Sequence, residues 1–185
     1  MSEADRIAEA YVAKARAELA QADTLLPGSE AIAGEGDPFA RVLLVKGAPG
    51  PEDERAGTAM AGEDGSAAAK ALEALGLADE GAFRTCSRPV ADGDPDGVVE
   101  RVAWIVEAVD PDVVIALDAE AACDLARAIG VEVLRFGEPV RRHGRAIVAV
   151  DGLEASLGDE GRKVRVWGQL KRVADADRRG LRLSR

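Results

Sequence analysis

Apolar residues recur every fourth position at Ile7, Tyr11, Ala15 and Leu19 behind Ser2, and this spacing predicts an amphipathic first helix that ends near Pro27-Gly28. A glycine-rich connection follows. Residues 42–45 form a continuous apolar run that leads through Lys46 into Gly47, the pattern of a strand buried on both faces. Residues 66–77 are alanine-rich with Leu72 and Leu75 turned inward, and Gly76 stops them as a helix. Residues 82–85 read as a weaker strand, 89–97 as a turn-rich acidic loop, and 98–109 as a helix through Val102, Ile105, Val106 and Val109 that Asp110-Pro111 breaks. Residues 113–117 are the clearest central strand, 119–129 the next helix, 131–134 a short strand, 146–150 another strand, and 161–176 a final helix.

Strands alternating with helices of ten or more residues predict an α/β fold, a three-layer α/β/α sandwich around a mostly parallel sheet, with residues 1–185 as one domain. In such a sheet ligands bind beyond the carboxyl ends of the strands. The loop after the first strand, the segment after Thr85, Asp118 and the loop after Val150 are therefore expected on one rim.

At 185 residues and 47% hydrophobic, the chain is long enough for a core that needs no covalent staples. Only 3% of residues are aromatic, which argues against an extended base-stacking platform for single strands. The net charge of -10 gives no global attraction to phosphate. Its distribution is uneven. Residues 162–185 carry nine Lys or Arg against two Asp, a sum of +7 that leaves -17 for the rest. Such an edge can hold anions, although a solvated helix and tail is the favoured reading. Cys86 and Cys123 have neither metal-ligand spacing nor a close partner, and the start Met-Ser-Glu-Ala-Asp carries no leader pattern. A cytoplasmic location is expected. The longest strongly apolar stretch, residues 113–117, is far too short to span a bilayer, so no membrane partner is expected.

The candidate site begins where the first strand ends. There the chain reads Val42-Leu43-Leu44-Val45-Lys46-Gly47-Ala48-Pro49-Gly50-Pro51-Glu52-Asp53, followed by Met60-Ala61-Gly62 and Gly65. This segment resembles the first motif of the uracil-DNA glycosylase superfamily, especially its iron-sulfur branch, family four, which reads Gly-Glu-Ala-Pro-Gly, then acids, then Gly and a Phe. Weaker likenesses follow in order: Glu35-Gly36-Asp37-Pro38 to the lead-in, Arg88-Pro89 to a Cys-Arg-Pro segment, residues 111–117 to a buried strand, and residues 166–173 to the closing helix. The resemblance implies a glycosylase-like sandwich and, for an active member, hydrolysis of the bond between a damaged base and deoxyribose.

A glycosylase must hold an extruded base, place water or a carboxylate against the sugar, and stabilise charge on the departing base. The residues that the resemblance assigns to these tasks are mostly replaced. Gly47 stands where the water-positioning Glu is expected, Met60 where a Phe packs on the base, Ala82 or Phe83 where an Asn reads it, and Gly152 where a His donates to the developing charge. The late loop here is Asp151-Gly152-Leu153-Glu154-Ala155-Ser156. Loss of one such donor costs about a hundred- to a thousand-fold in rate. The two early cluster ligands of the iron-sulfur branch fall around Leu19 and Ala22, and only Cys86 lies near a third. No cluster, metal or other cofactor is expected.

Other residues carry open readings. Glu52 and Asp53 could orient water in place of the missing Glu, or be solvated loop acids. Asp118 could point a carboxylate into the cleft or cap the helix from Ala119, the cap being favoured. Gly47, Ala48, Pro49, Gly50, Met60 and Asp118 are the candidate base pocket, and Asp151 and Gly152 the late loop. Lys46, Arg88 and Arg145 are the candidate phosphate or DNA contacts. His143, flanked by Arg141, Arg142 and Arg145, reads as a turn residue. The loop from Gly47 to Gly50 matches neither a Walker loop nor a dinucleotide fingerprint. Two functions stay open: a catalytically weak or silent relative that keeps a cleft for a base, for nucleic acid or for a protein partner, and an active glycosylase using Glu52 or Asp53.

Overall fold

The computed structural model describes the backbone of residues 2–77 and 81–183, and side chains as far as Asp177. Arg178, Arg179, Arg182 and Arg185, which supply much of the basic tail, lie outside the described side chains. Helix α1 (Glu3–Thr24) opens with a capping box, in which the Asp5 amide donates to Ser2 Oγ and the Ser2 amide donates to the Asp5 carboxylate. Strand β1 (Val42–Lys46) leads into the short α2 (Pro51–Ala56) and into α3 (Glu63–Leu75). Then come β2 (Ala82–Cys86), α4 (Pro95–Val109), β3 (Val113–Ala116) and α5 (Ala119–Ala128). An antiparallel pair, β4 (Val140–Arg142) and β5 (Arg145–Ala149), precedes the one-turn α6 (Leu153–Ser156) and the long α7 (Glu160–Leu183).

The five strands lie in the order β2-β1-β3-β5-β4, parallel except for β4. Successive strand residues point to opposite faces, so each buried strand contributes to two cores. Leu43, Val45, Val114 and Ile147 pack with Val102, Ile105 and Val106 of α4 and Leu125 of α5 on one face. Val42, Leu44, Ile115 and Val148 pack with Leu72 and Leu75 of α3 and Val166, Leu170 and Val173 of α7 on the other. Each such side chain, fully buried, stabilises the fold by about 1.5–3 kcal/mol. The result is the α/β/α sandwich that the pattern predicts. Among the described residues no helix is long and apolar enough to cross a membrane.

Three expectations change. Residues 131–134 form no strand; Leu134 packs into the core, and the edge of β5 is taken by Phe136, which bridges to Ala149, and by β4. Strand β4 escaped notice because an edge strand needs no apolar face, and its Arg141 and Arg142 are exposed. His143 and Gly144 make the tight turn into β5 with φ of 50° and 83°, so the single histidine is a hairpin residue. The first helix buries only from Ala15 onward, while Ile7 and Tyr11 stay 52% and 62% exposed. The closing helix continues past Ala176 to Leu183.

Chain direction places the crevice. From β1 the chain turns to α3 on one face, and from β3 it turns to α5 on the other. Between these neighbouring strands the loops diverge, and the gap beyond their carboxyl ends is the expected ligand position.

Candidate functional site

A cleft of about 360 Å³ opens at that position, lined by Lys46, Asp64, Leu117, Asp118, Gly152, Leu153, Glu154 and Ala155. The turn leaving β1 and the turn leaving β5 meet across it. Their junction is Lys46, the last residue of β1, whose buried ammonium lies 3.0 Å from Asp53 Oδ2, 2.8 Å from Asp64 Oδ2 and 2.8 Å from Glu154 Oε2. Asp53 comes from α2, Asp64 from the first turn of α3, and Glu154 from α6. An ammonium has three protons, and here each has a carboxylate acceptor. Burial by itself would pull the Lys46 pKa down, but the hydrogen bonds it donates to Asp64, Glu154 and Asp53 outweigh it and raise the pKa above the usual lysine value. Lys46 is therefore a fixed cation and not a proton acceptor.

Asp53 is buried and organises the loop. Its Oδ2 accepts from the Gly50 amide at 2.9 Å as well as from Lys46, and its Oδ1 accepts from the Ala61 amide at 2.7 Å. Burial pushes its pKa up, but these two backbone donors and Lys46 prevail and hold it below the ordinary carboxylate range. A group with a depressed folded pKa contributes stability that is present above its unfolded value and is lost as pH falls through the folded value. The expected result in an acid titration is that the domain keeps this contribution to its stability down to about pH 4 and loses it below, as Asp53 protonates. Replacing Asp53 with Asn should flatten that acid limb, measured by denaturant midpoints from pH 7 to pH 3.

The other expected site residues divide into those at the cleft and those away from it. Asp118 caps α5 by accepting from the Ala121 amide at 2.8 Å, and its second oxygen accepts from the Gly47 amide at 2.8 Å. Cap and cleft wall are thus the same carboxylate. A glycine fits the close approach at position 47, since a Cβ there would stand 2.8 Å from Asp118 Oδ1 and 2.8 Å from Glu120 Cβ, so those side chains would have to shift. Gly152 lines the cleft, and the Asp151 carboxylate faces Arg162 and Arg165, each at 3.8 Å. Ala48, Pro49 and Gly50 form the bend into α2 without lining the cleft.

Glu52 is exposed, with Arg55 3.9 Å away, and does not line the cleft. Met60 is buried in the core beneath α3 and offers no free face to a ring. Its φ of 57° places its carbonyl against Gly65, where any Cβ would overlap it. Arg88 is held bidentately by the buried Asp124, with both contacts at 2.8 Å, and this hydrogen bonding raises its pKa over the opposing effect of burial. Arg145 starts β5, at the opposite end of the sheet from the cleft, and pairs with Glu107 at 2.8 Å and Asp110 at 2.7 Å. All three predicted phosphate contacts are thus paired with carboxylates, and only Lys46 of the three lines the cleft.

Asp64 and Glu154 were absent from the expected set, although they complete the cage. A lysine closing a strand buried on both faces is the signal that could have found them, because a buried ammonium demands carboxylate partners. No protein-family model matches the chain, and no curated protein matches its sequence.

Proposed function

We propose that the chain is a uracil-DNA glycosylase-like protein with little or no base-excision activity whose cleft holds a single base. The observation that carries this reading is the Lys46 cage, which joins the turns after β1 and β5 around a hollow and commits Asp53 and Asp64 to a fixed cation. Asp53 is locked by three donors, and Glu52 does not line the hollow. A volume near 360 Å³ falls at the small end of ligand sites, which span roughly 300–1,000 Å³. That is room for a ring with little attached.

Neutralised cations at the rim favour recognition of the base over the backbone, so binding should depend weakly on salt. The test is base release from single and double strands containing uracil, hypoxanthine or xanthine. No release above the buffer control is expected. Release that disappears in Glu52→Ala or Asp53→Asn would overturn the proposal in favour of an active glycosylase.

A further inference from the structure

The side chains that line the cleft do not match a uracil. Uracil presents two carbonyl acceptors around one N-H, so side chains that read it are chiefly donors. In the cleft the single cationic donor, Lys46, has all three protons taken by Asp53, Asp64 and Glu154. The remaining polar side chains of the lining, Asp64, Asp118 and Glu154, are acceptors. Asp118 is engaged through both oxygens by the amides of Ala121 and Gly47. Asp64 binds Lys46 with one oxygen and the Gly65 amide with the other. Glu154 differs: its Oε2 faces Lys46, its side chain is 57% exposed, and its Oε1 has no hydrogen-bond partner among the described residues. Leu117, Leu153 and Ala155 complete the lining with apolar surface of the kind that packs on a flat ring.

The local charge points the same way. One lysine faces three carboxylates in the cage, a balance of -2, and Asp118 adds a further negative charge at the same rim. An anionic or acceptor-edged ligand would meet like charge, whereas a ring carrying adjacent N-H groups, neutral or cationic, would find acceptors in place.

We infer that the cleft selects a flat ring with a donor edge, an aminated base such as guanine or an amidinium, and that Glu154 is the residue that reads that edge. This rests on the reading of the cleft as a base site. A carboxylate accepting two N-H groups from one ring edge discriminates by hydrogen bonding, and the wrong ring leaves the carboxylate desolvated and unpaired.

The test is calorimetric titration of the full chain with guanosine, uridine, benzamidine and benzoate, repeated with Glu154→Gln. Guanosine should bind at least about tenfold tighter than uridine, and benzamidine should bind where benzoate does not. Glu154→Gln should remove that preference with only a small fall in melting temperature, because the amide oxygen can still accept from Lys46 while the buried Asp53 and Asp64 remain in place. Equal or tighter binding of uridine would overturn the donor-edge inference and leave the base-site reading standing. Binding of benzamidine without either nucleoside would keep the donor edge and overturn the base site. Silence with every ligand would overturn both. A guanine-containing single strand beside free guanosine distinguishes a base presented on a strand from a free nucleoside: tighter binding of the strand supports the first source, and equal or weaker binding supports the second.

Discussion

Replacing Lys46 with methionine is expected to destabilise the domain by about 3–5 kcal/mol, because removing one member of a buried ionic cluster leaves the others charged and unpaired. Asp53 and Asp64 are buried, and both lose their common cation. For a chain of this size the loss corresponds to a fall in melting temperature on the order of 10 °C. The penalty should shrink as pH drops toward the carboxylate range, since a protonated carboxyl needs no cation. The double variant Lys46→Met/Asp64→Asn should recover part of the loss, as neighbours in one network couple. A change within 0.5 kcal/mol for Lys46→Met would show that the ammonium is not held as described.

A second large effect is expected at Arg101, whose side chain is only 1% exposed. Its guanidinium reaches from α4 to Asp23 of α1, with Nη2 2.8 Å and Nε 2.9 Å from the same carboxylate oxygen, while Nη1 donates to the Cys86 carbonyl at 2.8 Å. One side chain thus ties α1, α4 and the end of β2 together. Arg101→Met should cost about 3–5 kcal/mol by leaving Asp23 and the Cys86 carbonyl unpaired. Amide exchange in α1 should rise ahead of that in β1 and β3, because α1 is the element released. The double variant Arg101→Met/Asp23→Leu should regain much of the stability, since an apolar pair of similar volume replaces a buried ion pair at little cost. Uniform exchange across the chain in Arg101→Met would contradict the local role of this contact.

The parts of the fold that could be read from the chain were those with two buried faces. Residues of β1, β3 and β5 are apolar at nearly every position, and nothing but a central strand satisfies that pattern. Strand β4 was invisible because one face and one edge are exposed to water, and there arginine serves as well as valine. The exposed half of α1 misled in the opposite direction: Ile7 and Tyr11 keep the helical spacing of a buried face, yet among the described residues no element covers them. For the site, the rim was legible from strand polarity alone, which placed Gly47, Asp118 and Gly152 together. The roles of the charged residues were not legible. Lys46 and Asp53 became partners through folding, Arg88 was claimed by Asp124 from a helix 36 residues away, and Arg145 went to the far end of its strand. Charge pairing across a sheet depends on register and burial, and neither is a property of a local segment.

The most direct measurement is amide chemical-shift mapping of the isotopically labelled chain during titration with guanosine. The amides of residues 46–47, 117–118 and 151–155 should shift together along a single binding curve, because the turns after β1, β3 and β5 enclose one hollow. Shifts confined to one of these turns, or appearing only on surfaces away from Lys46 and Glu154, would contradict a shared base site at the carboxyl edge of the sheet.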